Sequence, residues 1–231
     1  MRLKPTVLGL VLALSTAFSA NAQVDENELG AWYMYFWNTQ ITESGIGFQG
    51  DVQFRNWNLG GDLEQLLLRG GVTYQPKGHK AKFTLGYGNI TTGAFGDATS
   101  TTSESRIYQE ALIPHTILNR VFLTHRYRFE QRFVENQDFR TRLRYNIFLN
   151  LPLNKKTLEP GAVYLALYNE LFVNAQRSTG TGTVELFDRN RLYAAIGYSI
   201  RKGLRTQLGF MEQTTNSWSK GQIQVSLHHK F

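Results

Sequence analysis

The segment Gln222-Ile-Gln-Val-Ser-Leu-His-His-Lys-Phe231 alternates in chemistry from end to end. Ile223, Val225, Leu227 and Phe231 fall on one side of an extended chain, with His229 the single polar residue among them. Gln222, Gln224, Ser226, His228 and Lys230 fall on the other. A period of two is the signature of a β-strand whose faces meet different surroundings. The same design is stronger upstream. Between Leu118 and Phe133, Val121, Leu123, Tyr127, Phe129 and Phe133 share one face, and Arg120, Arg126, Arg128, Glu130 and Arg132 share the other. From Phe139 to Leu151, Phe139, Leu143, Tyr145, Ile147, Leu149 and Leu151 oppose Arg140, Arg142, Arg144, Asn146 and Asn150. A helix, with 3.6 residues per turn, would scatter those arginines around its circumference.

Comparable segments run at 29–38, 45–56, 63–74, 81–91, 105–114, 162–174, 188–200 and 203–213, so eleven are visible with 221–231 closing. Short links such as Pro76-Lys77-Gly78 and Arg201-Lys202-Gly203 alternate with polar stretches, 91–104 and 175–184, read as long loops. A chain ending on an aromatic residue after such a strand resembles bacterial outer-membrane barrels, which have short periplasmic turns and longer outer loops. The expected fold is therefore all-β, a single antiparallel transmembrane β-barrel. Because bacterial single-chain barrels have an even number of strands, the expectation is 10 or 12. Counting back from Phe231 at the periplasmic rim leaves 29–38 running downward, in tension with that parity.

Residues 1–22 have the form of a signal peptide: Arg2 and Lys4, an apolar run from Val7 to Ala17, and the small-x-small site Ala20-Asn21-Ala22. The run is shorter than the roughly 20 residues a membrane-spanning helix needs. The barrel is expected over 23–231. The formal charge of +7 falls with the loss of Arg2 and Lys4 but stays basic, which bears on association and not on fold. No cysteine is present, so disulfide frameworks and thiolate metal sites are excluded. No apolar stretch after Gln23 reaches about 18 residues, which excludes a transmembrane helix there.

Motifs of catalysis are weak. Gly45-Ile-Gly47-Phe-Gln-Gly50 spells the dinucleotide string, but Asp51-Val-Gln-Phe-Arg55 continues as a strand where that chemistry needs a helix N-terminus. His79, His115, His125, His228 and His229 lack metal-ligand spacing; 228 and 229 point to opposite faces, and His125 is in phase with the apolar side. Ser105, Ser199 and Ser226 sit in or near strands without a Gly-x-Ser-x-Gly elbow. Trp32, Tyr33, Tyr35, Phe36 and Trp37, with Tyr74, Tyr87, Tyr127, Tyr145 and Tyr198, suggest the aromatic girdles of a membrane barrel.

The charged faces carry more information. Arg69, Arg106, Arg120, Arg126, Arg128, Arg132, Arg140, Arg142, Arg144, Arg189, Arg191 and Arg205 are expected to point into the lumen, with Glu64, Glu110, Glu130 and Glu170 as partners. Buried guanidinium groups require pairing or water. Two arrangements follow. Either cross-linked arginine–carboxylate layers stiffen and plug a narrow barrel, or an arginine-lined path or pocket takes small anionic ligands.

These residues also carry a family likeness. Gly30-x-Trp32, Gln53-Phe-Arg55, Leu68-Arg69-x-Gly71-x-x-Tyr74 and Leu85-Gly86-Tyr87 come first. Arg126-Tyr-Arg-Phe-Glu-Gln-Arg-Phe133 and Arg142-Leu-Arg144-Tyr145 follow, then Asn169-Glu-Leu-Phe172, Asn190-Arg-Leu192 and Gly197-Tyr198. Together they resemble an uncharacterised bacterial family of outer-membrane barrels, domain-of-unknown-function number 2490. The resemblance implies an outer-membrane barrel and supplies no catalytic residues. The expected function is non-enzymatic, structural or a narrow conduit or binder for small anionic ligands, without cofactor or metal. Its expected partners are outer-membrane lipid and, through the strand ending at Phe231, the barrel-assembly machinery, and not nucleic acid. A lipid-modifying enzyme and a soluble secreted binding barrel are the alternatives.

Overall fold

Each alternating segment becomes a strand in the computed structural model, which describes residues 24–180 and 182–231. The strands are β1 Gly30–Gln40, β2 Ile46–Asn56, β3 Leu63–Tyr74, β4 Lys82–Gly93, β5 Thr101–Ile117, β6 Val121–Val134, β7 Arg140–Pro152, β8 Val163–Asn174, β9 Phe187–Arg201, β10 Leu204–Thr214 and β11 Ser219–Lys230. The expected export segment, 1–22, lies outside the described residues.

The eleven strands form one closed barrel in which every sequential neighbour is hydrogen-bonded. The expectation of 10 or 12 is corrected to eleven. An odd meander closes only if its first and last strands point the same way, and β1 pairs with β11 in parallel, from Gly30 opposite Gln222 to Asn38 opposite Lys230. All other neighbours are antiparallel. The eleven segments visible in the sequence were thus all wall strands, and parity was the wrong constraint.

Following hydrogen-bonded partners around the wall shows the strand tilt. Phe36 in the second half of β1 leads through Asp51, Arg69, Gly88, Arg106 and Arg132 to Arg140, the first residue of β7. Register therefore climbs from one rim towards the other over six steps, as closure of a sheared barrel requires. A side chain's height in the lumen depends on this climb as well as on its place in its own strand.

The two rims differ from the loop asymmetry expected. The rim where β11 ends has the tight connections 118–120 and 202–203 but also the ten-residue stretch 153–162. The opposite rim has 175–186, yet also the four residues 215–218. Half of the segment 91–104 is strand, because β4 continues to Gly93 and β5 begins at Thr101, which leaves only 94–100 as loop. Several loops fold over the openings. Lys220 Nζ donates to the backbone oxygens of Asp25 and Glu28 at 2.7 and 2.5 Å, drawing residues 25–28 across the rim where β1 begins. At the other rim the Ser199 hydroxyl donates to Leu158 O, and Leu158 packs on the interior cluster of Trp32, Tyr164, Ala166, Tyr193, Ala195 and Met211.

Burial follows parity with the usual sense reversed. Leu85, Leu143, Ile196 and Leu208 lie on the outer wall at 53–61% exposure, with Tyr33, Phe54, Tyr74, Tyr87, Tyr127, Tyr198 and Phe210 also exposed. The charged alternates are buried inside. The Gly45–Gly50 string forms the turn before β2 and its first half, with φ of +93° at Gly45, and runs into strand with no helix after it.

Candidate functional site

Cross-strand register builds the interior ion pairs. Asp51 and Arg69 are direct partners across β2 and β3, Glu110 and Arg128 across β5 and β6, Glu130 and Arg142 across β6 and β7, and Glu170 and Arg191 across β8 and β9. Directly opposed side chains on one face lie close enough to interact. In the first three pairs the guanidinium fork places two donors on the carboxylate, whereas Arg191 stands 4.0 Å from Glu170 and donates its Nε to Gln213 at 2.7 Å. Arg69 donates from Nε and Nη2 to Asp51 at 3.0 and 2.9 Å, and Arg128 to Glu110 at 2.8 and 2.5 Å.

The centre of the network is Glu130, 1% exposed. One of its oxygens accepts from Arg142 Nε and Nη2 at 3.0 and 2.7 Å, the other from Arg144 Nη1 at 2.6 Å. Arg128 and Arg106 approach the second oxygen at 3.8 and 3.9 Å. Arg144 turns its remaining donors to Glu170 at 2.9 and 2.6 Å, and Arg126 reaches the same oxygen at 2.6 Å. Arg106 and Arg132, which face one another across β5 and β6, share Glu104 at 2.5–2.9 Å. Like charges in register repel, and the shared carboxylate between them offsets that. Arg142 extends the chain to Asp188 at 2.7 Å.

Two aromatic rings serve as platforms. Arg144, Arg191 and Arg142 sit over Phe172 at 4.4, 4.7 and 5.1 Å, and Arg55 and Arg191 over Trp32 at 3.8 and 4.7 Å. Guanidinium planes over aromatic faces gain cation–π energy that rises with desolvation. Trp32 points inward, its Nε1 donating to Glu64 at 2.7 Å. The expectation that it joins an outer girdle is corrected: its even position on β1 puts it with the lumenal Met34 and Phe36, while Tyr33 and Tyr35 face out.

The structure places all eleven candidates, Arg69, Arg106, Glu110, Arg126, Arg128, Glu130, Arg132, Arg142, Arg144, Glu170 and Arg191, in the lumen and joins ten through direct ion pairs or a shared partner. Arg69 and Asp51 form a separate pair beside them. Arg120 is different. It lies in the β5–β6 turn, where Nη2 donates to Pro152 O, because its strand begins only at Val121. Three acidic members, Asp51, Glu104 and Asp188, and the platforms Trp32 and Phe172 were not anticipated.

Beneath this network the lumen opens into a cup of about 350 Å³. Its floor is Arg128, Glu110, Arg144 and Glu170, all buried. Its mouth is half-buried Asn38, Lys82, Asn150 and Arg205, residues near the rim where β11 ends. Eight cations line it (Arg55, Arg69, Lys82, Arg126, Arg128, Arg144, Arg191 and Arg205) against three carboxylates, Asp51, Glu110 and Glu170. Phe36, Leu112 and Phe148 supply apolar wall. Ser226 Oγ lies 3.0 Å from His228 Nε2 on the same wall. Among the described residues no carboxylate orients the other ring nitrogen, so the serine–histidine–acid geometry of acyl transfer is incomplete. His229 faces out against Tyr35 and Phe231, opposite to His228. Among the described residues no group of three His, Asp or Glu side chains is placed to hold a metal ion.

Residues 29–224 match a family model described as "Protein of unknown function (DUF2490)", and the chain belongs to that family. No curated protein and no solved structure matches the chain.

Proposed function

We propose that, as a member of this family, the chain is a non-enzymatic bacterial outer-membrane barrel, exported by its N-terminal segment, closed to through-flow and able to hold small anions in its interior. The observation that carries this reading is the inverted chemistry of the wall. Apolar and aromatic side chains are exposed on the outer face of strand after strand around the circumference, whereas soluble monomers rarely expose a large contiguous apolar patch. The charges lie inside. Eleven residues, the shortest strand length here, suffice to cross the hydrocarbon layer at barrel tilt. In the usual orientation β11 ends at the periplasmic rim, so β1 starts at the outer rim and the cup opens to the periplasm. The assembly machinery would read the last strand.

A soluble barrel would need the opposite faces, and a lipid-modifying enzyme would need a reactive cluster on the outer wall near a rim. The outer wall carries paired amides, Asn169 with Asn190 at 2.9 Å and Gln109 with Gln131 at 3.3 Å, and the contacts Tyr87 to Ser105 and His125 to Tyr145, both 2.8 Å, so Ser105 and His125 have separate partners and form no nucleophile–base pair. Of the conduit and the binder, the binder is favoured, because Glu130 and its four arginines fill the waist. The test has two parts. The detergent-extracted membrane fraction is run on a semi-native gel, where a band that shifts on boiling is expected. Purified barrel is then added to planar bilayers, where silence is expected. A soluble unshifted protein would overturn the membrane reading, and steady anion-selective conductance would overturn the closed waist.

A further inference from the structure

The floor of the cup leaves hydrogen-bonding capacity unused. Arg126 Nε and Arg128 Nη1 are buried and donate to no protein atom. Their nearest carboxylate oxygens are at 3.9 and 3.8 Å, ion-pair range but too long for a hydrogen bond. Arg128 is 5% exposed. A buried N–H without a partner costs free energy, and an acceptor that enters the cavity removes the cost once the guanidinium turns towards it. Cations outnumber carboxylates on the lining, so the acceptor that fits best carries negative charge. The Asn146 amide oxygen, also buried and unpartnered, faces the same space and suits a hydroxyl on such a group.

The wall above is apolar on two sides. Leu112 is the direct partner of Arg126 across β5 and β6, and Phe148 on β7 lies under the Arg126 guanidinium at 5.1 Å. Across the lumen Phe36 stacks on His228 at 4.9 Å between centroids. Lys82 and Arg205 stand at the mouth, where they would raise the local concentration of anions. A cavity of about 350 Å³ is at the small end of ligand pockets.

We propose that this cup binds a small single-tailed amphipathic oxyanion, a phosphate monoester or carboxylate, with its head against Arg126 and Arg128 and its apolar tail between Phe36, Leu112 and Phe148. The proposal deepens the anion-binding part of the reading above and depends on it only for the compartment from which the ligand arrives. Its test is calorimetric titration of the full folded chain in non-ionic detergent with hexyl phosphate, inorganic phosphate, hexanol and dihexanoyl phosphatidate. Hexyl phosphate is expected to bind at least tenfold tighter than inorganic phosphate or hexanol. Arg126→Gln should weaken it about tenfold or more, the worth of a charge-assisted hydrogen bond. Where Arg126→Gln fails to fold, Lys82→Gln at the half-buried mouth serves, with several-fold weakening expected, and Arg201→Gln on the exposed rim should change nothing.

No saturable binding of hexyl phosphate to a barrel that still shifts on boiling would overturn the site and leave the membrane reading standing. Equal affinity for inorganic and hexyl phosphate would overturn the apolar subsite. Tighter binding of the two-chain phosphatidate would overturn the single-tailed ligand and make a lipid headgroup the source. Soluble protein that binds hexyl phosphate would sink the compartment and keep the cup.

Discussion

Replacing Glu130 with glutamine removes the one negative charge that four arginines surround. Three hydrogen bonds, from Arg142 twice and Arg144 once, lose their charge assistance, and the contacts from Arg106 and Arg128 at 3.9 and 3.8 Å turn from attraction to none. Each arginine keeps a second carboxylate: Asp188, Glu170, Glu104 and Glu110 respectively. The mutual repulsion of Arg142 and Arg144 is then screened from one side only. Breaking a buried pair costs about 3–5 kcal/mol, and the retained acceptor of glutamine puts the expectation at the lower end, about 3 kcal/mol. With a urea slope of about 2 kcal/mol per molar, the unfolding midpoint should fall by roughly 1.5 M. The assay is urea unfolding of the folded barrel in micelles, followed by tryptophan fluorescence and by loss of the fast-migrating gel band. Glu159→Gln, on an exposed loop where Lys155 Nζ lies 3.5 Å away, is the control and should move the midpoint by less than about 0.5 M, since exposed pairs contribute about 0–1 kcal/mol. Equal midpoints for the two variants would refute the claim that Glu130 neutralises the waist.

Two further outcomes follow from geometry. A Cβ built on Gly86 would meet the Tyr108 ring at 2.2 Å, so Gly86→Ala should destabilise by about 1–3 kcal/mol through overpacking, and adding Tyr108→Leu should recover most of it; chemical denaturation of the single and double variants checks this. The parallel seam places Tyr33 beside Val225 on the outer wall, and the chain has no cysteine of its own; the Tyr33→Cys, Val225→Cys double variant should therefore oxidise to a species of altered gel mobility, and no such species would mean that β1 does not pair there.

The wall was legible in the sequence because arginine and aliphatic residues alternate, which sets parity strand by strand. From Arg126 to Arg132 and from Arg140 to Arg144 parity alone assigned the lumen correctly. It failed where composition argued against it. Glu104 lay in a run of Thr, Ser, Gly and Ala that read as loop, although Thr101–Ser103 extend β5 and carry Glu104 to Arg106 and Arg132. Asp51 was masked by the glycine string before it. Trp32 is aromatic and suggested a surface, yet its even position on β1 puts it under guanidinium groups, as the position of Phe172 on β8 does for its ring. The strand number was counted correctly and then bent towards parity, because the sequence does not show which way the closing pair runs. The cup was out of reach altogether. Lys82, Arg126, Arg205 and His228 line one cavity because register around the whole barrel brings their four strands to face it.

The parallel seam constrains how this architecture can be rearranged. An even meander leaves its first and last strands on the same rim, so a few residues can join them and the chain can be reopened at another turn. Here β1 enters at one rim and β11 leaves at the other. A connector between them must run the full height of the wall, a strand of at least eleven residues, either along the outside of the barrel or through a lumen crossed by Glu130 and its arginines. Circular permutation through a short linker is therefore forbidden for this barrel. Its seal is also the wall's most distant contact along the chain, since β1–β11 pairs residues nearly two hundred positions apart, from Gly30 with Gln222 onward.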